Sequence, residues 1–116
     1  MATIAKVLIP SQRQRVQGIK WEAMGNADVG APHEMAAWPD RTVQLVGTWG
    51  SATIVIQGSN DGTNWATLRD PAGNNLSFTA DGLKAILENP RYIRPSSSGG
   101  TGTDVDVLIY ANGETL

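Results

Sequence analysis

The sequence of 116 residues has no cysteine, a single histidine and no long apolar run. The lack of cysteine excludes disulfides, cysteine-ligated zinc and thiol catalysis. One histidine, His33, cannot build a histidine-rich metal site. The apolar run Val7-Leu8-Ile9 ends at Pro10, so it is too short for a secretory signal or a bilayer span. We therefore expect a soluble protein that is made in the cytoplasm.

Charge is unevenly distributed along the chain, although the formal net charge is only −2. The first twenty residues hold four basic and no acidic residues. The other five basic residues are outnumbered by all eleven acidic ones, which leaves −6 for the rest of the chain. This acidic balance argues against a nucleic-acid binder. The basic leading segment is predicted to contact an acidic neighbour, with a solvated strand face as the alternative; its basic residues are Lys6, Arg13, Arg15 and Lys20.

Alternation of apolar and polar residues recurs along most of the chain and predicts short β-strands. It is clear at Val43 and Leu45, and again at Val105, Val107 and Ile109. Between clusters of turn residues, further strands are predicted at 3–9, 15–24, 33–38, 52–57, 65–69, 76–78 and 91–94.

Other segments lack this alternation. The Gly- and Pro-containing segment 25–32 and the Ser/Gly-rich segment 95–103 are predicted to be loops. Good helix formers follow Thr79 and Asp81, either of which suits an N-cap, so one short helix is predicted near residues 81–88. The sequence thus predicts an all-β fold: an antiparallel sandwich or jelly-roll-like barrel of about eight short strands and one short helix. We expect a single domain over 1–116, with residues 1–14 as an extended N-terminal arm.

No catalytic or metal-binding pattern accompanies these strands. Asn60, Asp61 and Gly62, followed by Trp65, are predicted to form a structural turn, since Asp-Gly between two alternating runs favours a hairpin. A calcium loop is the weaker interpretation, because the EF-hand spacing and its terminal glutamate are absent. We expect no cofactor and a protein that is not an enzyme.

Four tryptophans are many for a chain of this size, and they allow two interpretations. They fill the core of a two-layer sandwich, or one or two are exposed and bind a sugar or a protein partner. Trp38, beside Pro39 and outside the clear alternation, is the candidate for exposure. The other three are Trp21, Trp49 and Trp65.

Two pairs of segments carry a resemblance to a known class of proteins. One pair is WEAMGNADVGAP at 21–32 with WPDRTVQ at 38–44, and the other is GSNDGTNWATL at 58–68 with NPRYIRP at 89–95. Together they resemble the small head proteins of tailed bacteriophages that decorate, or cement, the capsid. The second pair is also similar to discoidin-like and carbohydrate-binding β-sandwiches, although the chain is shorter than a discoidin domain and lacks its cysteines.

The phage resemblance implies a structural protein on the capsid surface of the virion. It would bridge adjacent subunits of the major capsid protein, as a homo-oligomer for which a trimer is favoured, with neither nucleic acid nor a membrane as a partner. The candidate contact residues are Lys6, Arg13, Arg15 and Trp38, with Asn26, Asp28, Ser97 and Thr101 in the two loops. The alternatives are a carbohydrate-binding or adhesion module and another virion component such as a tail or head-completion protein.

Overall fold

The computed structural model describes residues 2–9 and 16–113, and within them the chain forms twelve β-strands. In chain order the strands are β1 Thr3–Ile4, β2 Lys6–Ile9, β3 Val16–Met24, β4 Val29–Gly30, β5 His33–Glu34, β6 Asp40–Thr48, β7 Thr53–Ser59, β8 Ala66–Thr67, β9 Ser77–Phe78, β10 Gly82–Ile86, β11 Tyr92–Ser98 and β12 Asp104–Asn112. Among these residues there is no helix of the length and apolar character that crossing a membrane requires.

The strands form two sheets. Seven strands form one sheet, in which the order β1-β4-β11-β7-β8 is extended by β5 beside β11 and β9 beside β7. The other five form a sheet in the order β10-β6-β12-β3-β2. All pairs are antiparallel except β1 with β4. The predicted all-β sandwich is therefore confirmed.

The core consists of the apolar side chains that face each other from the two sheets. The alternating residues of β6 and β12 behave as the sequence predicts: Val43, Val105, Val107 and Ile109 are fully buried. Trp21 is also fully buried, and its Nε1 donates a hydrogen bond to the carbonyl oxygen of Ala31. That hydrogen bond satisfies the indole polar atom, as burial of a tryptophan requires.

The predicted helix near residues 81–88 is wrong. Residues 82–86 form β10, which pairs with residues 41–45 of β6 and closes one edge of the five-stranded sheet. The Asp81 carboxylate accepts hydrogen bonds from the Gly47 N–H (3.1 Å) and from Trp49 Nε1 (2.8 Å) instead of capping a helix. A helix of two turns is marginal by itself, whereas five residues in a ladder gain packing and backbone hydrogen bonds.

The predicted loop at 95–103 is wrong in its first part, and the strand predicted at 33–38 is too long. β11 continues through Pro95 to Ser98 because it pairs along its whole length with the seven residues of β7. That pairing outweighs the low strand propensity of proline and serine. At the other segment only His33 and Glu34 are in a strand. The estimate of about eight strands is also low, because it missed short two-residue strands such as β4.

The N-terminal residues contribute to both sheets. β1 pairs with β4 of the seven-stranded sheet, and β2 pairs with β3 at the edge of the five-stranded sheet. Residues 10–15 lie outside the described residues. The single domain over 1–116 and the extended arm over 1–14 remain predictions.

Candidate interaction surface

The outer side of the five-stranded sheet carries apolar side chains where an alternating strand usually carries polar ones. Strand register places Leu83, Gln44, Leu108, Lys20 and Val7 in one row across all five strands. Three of these five positions are apolar, including both sheet edges.

A second row lies next to the first. It runs through Ala85, Thr42, Tyr110, Gly18 and Ile9, in the same strand order. A groove of about 240 Å³ lies along the two rows and is lined mainly by apolar groups, Leu83, Leu108, Tyr110 and Ile9 among them. The rows therefore form a continuous surface and not a set of isolated apolar residues.

Much of this apolar surface is open to solvent. Leu83 is 64% exposed, Tyr110 is 50% exposed and Val46, on the same side of β6, is 45% exposed. We call this surface the outer apolar face, and define it by Val7, Ile9, Val46, Leu83, Leu108 and Tyr110. Contiguous exposed apolar surface of this kind marks an interaction site more often than chance.

Two charged side chains beside the outer apolar face have partners within the sheet. Lys20 Nζ lies 3.6 Å from Glu22 Oε2. The Asp106 carboxylate accepts a hydrogen bond of 2.9 Å from the Ala23 N–H. Depletion of charge at the centre of an apolar surface is typical of the buried core of protein interfaces.

Lys6 and Trp38, two of the contact residues predicted from the sequence, are not part of the outer apolar face. Lys6 is exposed on β2, and its Nζ donates a hydrogen bond of 3.0 Å to the Pro32 carbonyl oxygen. Trp38 is half-buried and packs against the core, so it is less exposed than the sequence predicts. Arg13 and Arg15 lie outside the described residues.

The two predicted contact loops meet at the end of the seven-stranded sheet. The Asp28 carboxylate accepts hydrogen bonds from the Gly25 N–H (2.7 Å) and the Ala2 N–H (3.1 Å), while Asn26 is exposed. Ser97 lies in β11 and not in a loop: its side chain is buried, its N–H donates to the Asp28 carbonyl oxygen and its Oγ donates to the Gly25 carbonyl oxygen.

Of the two contacts predicted in the segment 95–103, Ser97 and Thr101, only Thr101 lies in a loop. It is exposed, and its N–H donates a hydrogen bond of 2.9 Å to the Gly50 carbonyl oxygen. The contact roles assigned from the sequence to Lys6, Trp38, Asn26, Asp28 and Thr101 remain predictions.

The predicted turn at 60–62 is organised by one carboxylate. Asp61 Oδ1 accepts hydrogen bonds from the N–H groups of Asn64 and Thr63 and from Ser59 Oγ, each at 2.8 Å. Asp61 Oδ2 accepts one from Asn64 Nδ2. The backbone hydrogen bonds, from Asn64 first, hold the pKa of Asp61 well below its usual value. Gly62 has φ +77°, which favours glycine there.

Trp65 continues from this turn and stacks against an arginine. The guanidinium carbon of Arg94 lies 4.0 Å from the centre of the Trp65 ring, and Arg94 Nε donates to Gln57 Oε1 at 2.9 Å. Burial lowers the pKa of Arg94. The structure thus gives Trp65 a packing partner within the sheet.

The residues that define the outer apolar face are missing from the sequence-based set of contacts. The signal was present in part, because Val46 occupies a polar position in the alternation of β6. Leu83 was not identified because its segment was predicted to be a helix. Its alignment with Leu108 and Val7 follows from the strand order, which the sequence alone does not give.

The chain is similar in fold to known structures, but no comparison assigns it to a family. No family model matches the chain, and no curated protein matches it. Its fold is similar to that of the SPBc2 prophage-derived protein YomS, with a TM-score of 0.65 and 13% identity over 88% of this chain and 98% of that one. It is also similar to an RmlC-like cupin protein from Desulfovibrio desulfuricans, with a TM-score of 0.53 and 7% identity over 95% of this chain and 82% of that one. At these identities the likenesses show the fold alone, which is all-β and jelly-roll-like.

The prediction that the chain is not an enzyme is wrong. It rested on a β-sandwich without a catalytic motif, and the cupin likeness shows that the fold does not separate structural proteins from enzymes. Within residues 2–9 and 16–113, no group of three or more histidine, aspartate or glutamate side chains is placed to hold a metal ion.

Proposed function

We propose that the chain is a structural virion protein that binds the assembled capsid of a phage and stabilises it by bridging adjacent major capsid subunits. The outer apolar face carries this proposal. It offers an exposed apolar surface with residues from β2, β6, β10 and β12, which suits a protein partner of similar composition.

The fold supports a phage origin for this role. The prophage-derived protein YomS has this fold over nearly its whole length. The sequence segments at 21–32, 38–44, 58–68 and 89–95 together resemble capsid decoration proteins. A protein that binds only the assembled shell stabilises that shell by mass action.

The partner in this proposal is the major capsid protein at the outer surface of the head, and the chain binds as a homo-oligomer, with a trimer favoured. Native mass spectrometry of the purified chain tests the oligomer, for which the proposal expects a single species of three copies. A monomer at all concentrations would contradict this part of the proposal alone.

A single substitution on the outer apolar face tests the proposal. Leu83→Asp places a charge on the outer apolar face, at its edge strand β10, where binding would desolvate it. We expect Leu83→Asp to lower the affinity for purified capsid shells that lack the chain by at least about tenfold, which is ~1.4 kcal/mol. Co-sedimentation with the shells measures this change.

Leu8→Asp is the matched control. Leu8 is 61% exposed against 64% for Leu83, but it pairs with Ile19, whose side chain faces the core, and so lies on the opposite side of the sheet. Both substitutions are at exposed positions and should leave the melting temperature nearly unchanged. Equal binding by the parent and both variants would show that the outer apolar face is not the contact surface, and failure of the parent to bind would overturn the proposal.

A further inference from the structure

The five-stranded sheet ends in an open edge at β10. This strand pairs with β6 on one side, and in the described part of the chain no strand lies on its other side. Three consecutive residues of β10, Leu83, Lys84 and Ala85, are exposed. Since neighbouring side chains of a strand point to opposite faces, the exposure of all three leaves both faces of this edge accessible.

Backbone groups at the open edge are available to a further strand. The Leu87 N–H, just after β10, donates a hydrogen bond of 2.8 Å to the carbonyl oxygen of Arg69, which is not part of β6. Backbone groups alternate in direction along an antiparallel strand. Those of Leu83 and Ala85 therefore point the same way as the Leu87 N–H, away from β6. An unpaired row of this kind is a template for pairing with another chain.

The open edge lacks the features that usually protect an exposed strand. β10 contains no proline, and its register with β6 runs without a bulge from Gly82 to Ile86. Its one charged side chain, Lys84, lies on the inner side of the sheet, where Nζ is 3.8 Å from Asp70 Oδ2 and 6.0 Å from the centre of the Phe78 ring. The outer side of the edge is thus left apolar.

The side chains of the open edge define which segment would fit it. Leu83 is 64% exposed and Leu87 is 50% exposed, and with Ala85 they occupy alternate positions on the outer side. Lys84 and Asp70 border the inner side. Opposed side chains of paired strands contact each other. A fitting strand therefore carries apolar side chains on its outer side and polar ones on its inner side.

We propose that β10 binds an extended segment of the partner protein, which adds a sixth strand to the five-stranded sheet. Main-chain hydrogen bonds to Leu83 and Ala85 supply affinity, and the alternation of side chains supplies specificity. This inference rests on the proposed function and deepens it, because the capsid subunit is the source of the segment. Leu83 belongs both to the open edge and to the outer apolar face, so a partner on that face has the edge beside it.

Hydrogen exchange tests the pairing, on the free chain and on the chain bound to purified capsid shells that lack it. Mass spectrometry of fragments of β10 follows each amide. In the free chain we expect slow exchange at Lys84 and Ile86, whose N–H groups point to β6, and fast exchange at Leu83 and Ala85. On the shells, Leu83 and Ala85 should slow by about tenfold or more. A contact through the outer apolar face alone makes no hydrogen bond to these amides.

Ala85→Pro is the sharpest variant, because it removes only an N–H that points away from β6. Proline is tolerated in an edge strand where the N–H would face solvent, so the ladder with β6 should remain. We expect at least about tenfold weaker co-sedimentation with the shells, because the added strand loses a hydrogen bond and meets the ring. Ala85→Val is the matched control, since valine is apolar, suits a strand and keeps the N–H.

The outcomes separate strand addition from the proposed function. Equal binding by the parent, Ala85→Pro and Ala85→Val, with Leu83 and Ala85 amides that exchange as in the free chain, would overturn strand addition and leave the capsid contact standing. Failure of the parent to bind would overturn both. If Ala85→Pro does not fold, hydrogen exchange of the parent decides the question.

A second copy of the chain is the other possible occupant of the open edge, and native mass spectrometry distinguishes it. The proposal expects Ala85→Pro and Ala85→Val to keep the oligomeric mass of the parent when no shells are present. A smaller species for Ala85→Pro alone would show that the edge joins copies of the chain, and would overturn the proposal.

Discussion

The one histidine of the chain is an internal pH probe. His33 is half-buried in β5, and its Nε2 lies 2.9 Å from Gln17 Oε1. Burial lowers the pKa of His33, and the charge of Lys6 lowers it further while Glu34 opposes the change, so the pKa falls to about 4. The imidazole is therefore neutral near pH 7.

This pKa makes the stability of the protein depend on pH in a defined window. The folded-state pKa of about 4 lies below the unfolded value of 6.5, so the unfolded chain binds more protons between the two. We expect the contribution of His33 to be fully present above pH 6.5 and to be lost as the pH falls to about 4.

An NMR titration of the His33 ring measures the pKa directly, with an expected midpoint near 4. His33→Gln should remove the part of the pH dependence that lies in this window, as followed by thermal unfolding. A ring that titrates near 6.5 in the folded protein would show that His33 is not protected from solvent.

Gly58 is a second residue with a measurable consequence. Its φ is not in the left-handed region, so its role is to give Pro90 and Leu68 room to approach. We expect Gly58→Ala to lower the free energy of unfolding by ~1–3 kcal/mol, the usual cost of overpacking a core. Urea denaturation measures the change.

Gly82→Ala is the matched control for that substitution. The nearest atom to an added methyl group on Gly82 is Phe78 Cε2 at 3.3 Å, a contact that a small shift relieves. Its loss of stability should be smaller than that of Gly58→Ala. Equal losses would mean that the approach at Gly58 does not limit packing.

At the scale of elements, β10 is the most informative strand. Asp81 directly precedes β10, and its carboxylate accepts hydrogen bonds from the Gly47 N–H and from Trp49 Nε1. We expect Asp81→Ala to destabilise the protein by ~1 kcal/mol through the lost hydrogen bonds. It should also shift the indole N–H resonance of Trp49 in an NMR spectrum.

Asp104→Ala is the control, because Asp104 is also exposed but lies at the start of β12. It should leave the Trp49 indole resonance in place. An unchanged Trp49 indole resonance in Asp81→Ala would contradict the hydrogen bond from Trp49 Nε1 to the Asp81 carboxylate.

The strands show why part of the fold could be predicted from the sequence. β6, β7 and β12 have the strongest alternation, and their pairings with each other or with β11 decide which of their side chains are buried. These strands were predicted because alternation reports one buried and one exposed face.

The elements that were missed depend on long-range pairing. The residues of β10 favour a helix locally, and only their pairing with β6 makes them a strand. The serines of β11 look like a loop until β7 lies beside them. Local propensity cannot report a partner that lies more than thirty residues away in the sequence.

At the scale of the whole molecule, the candidate surfaces were less predictable than the fold. The outer apolar face joins residues from β2, β6, β10 and β12, so no short segment of sequence contains it.

The central claim for the whole molecule is the proposed capsid contact, which the outer apolar face supports. A decoration protein must follow the capsid lattice in number, which separates it from a tail or vertex component.

Quantitative mass spectrometry tests this claim most directly, on purified particles of the phage that the proposal takes as the source of the chain. It gives the copy number of the chain relative to the major capsid protein. We expect on the order of hundreds of copies per particle in a fixed ratio to the capsid subunits, because each copy stabilises the lattice that it binds. A handful of copies, or none, would contradict the claim.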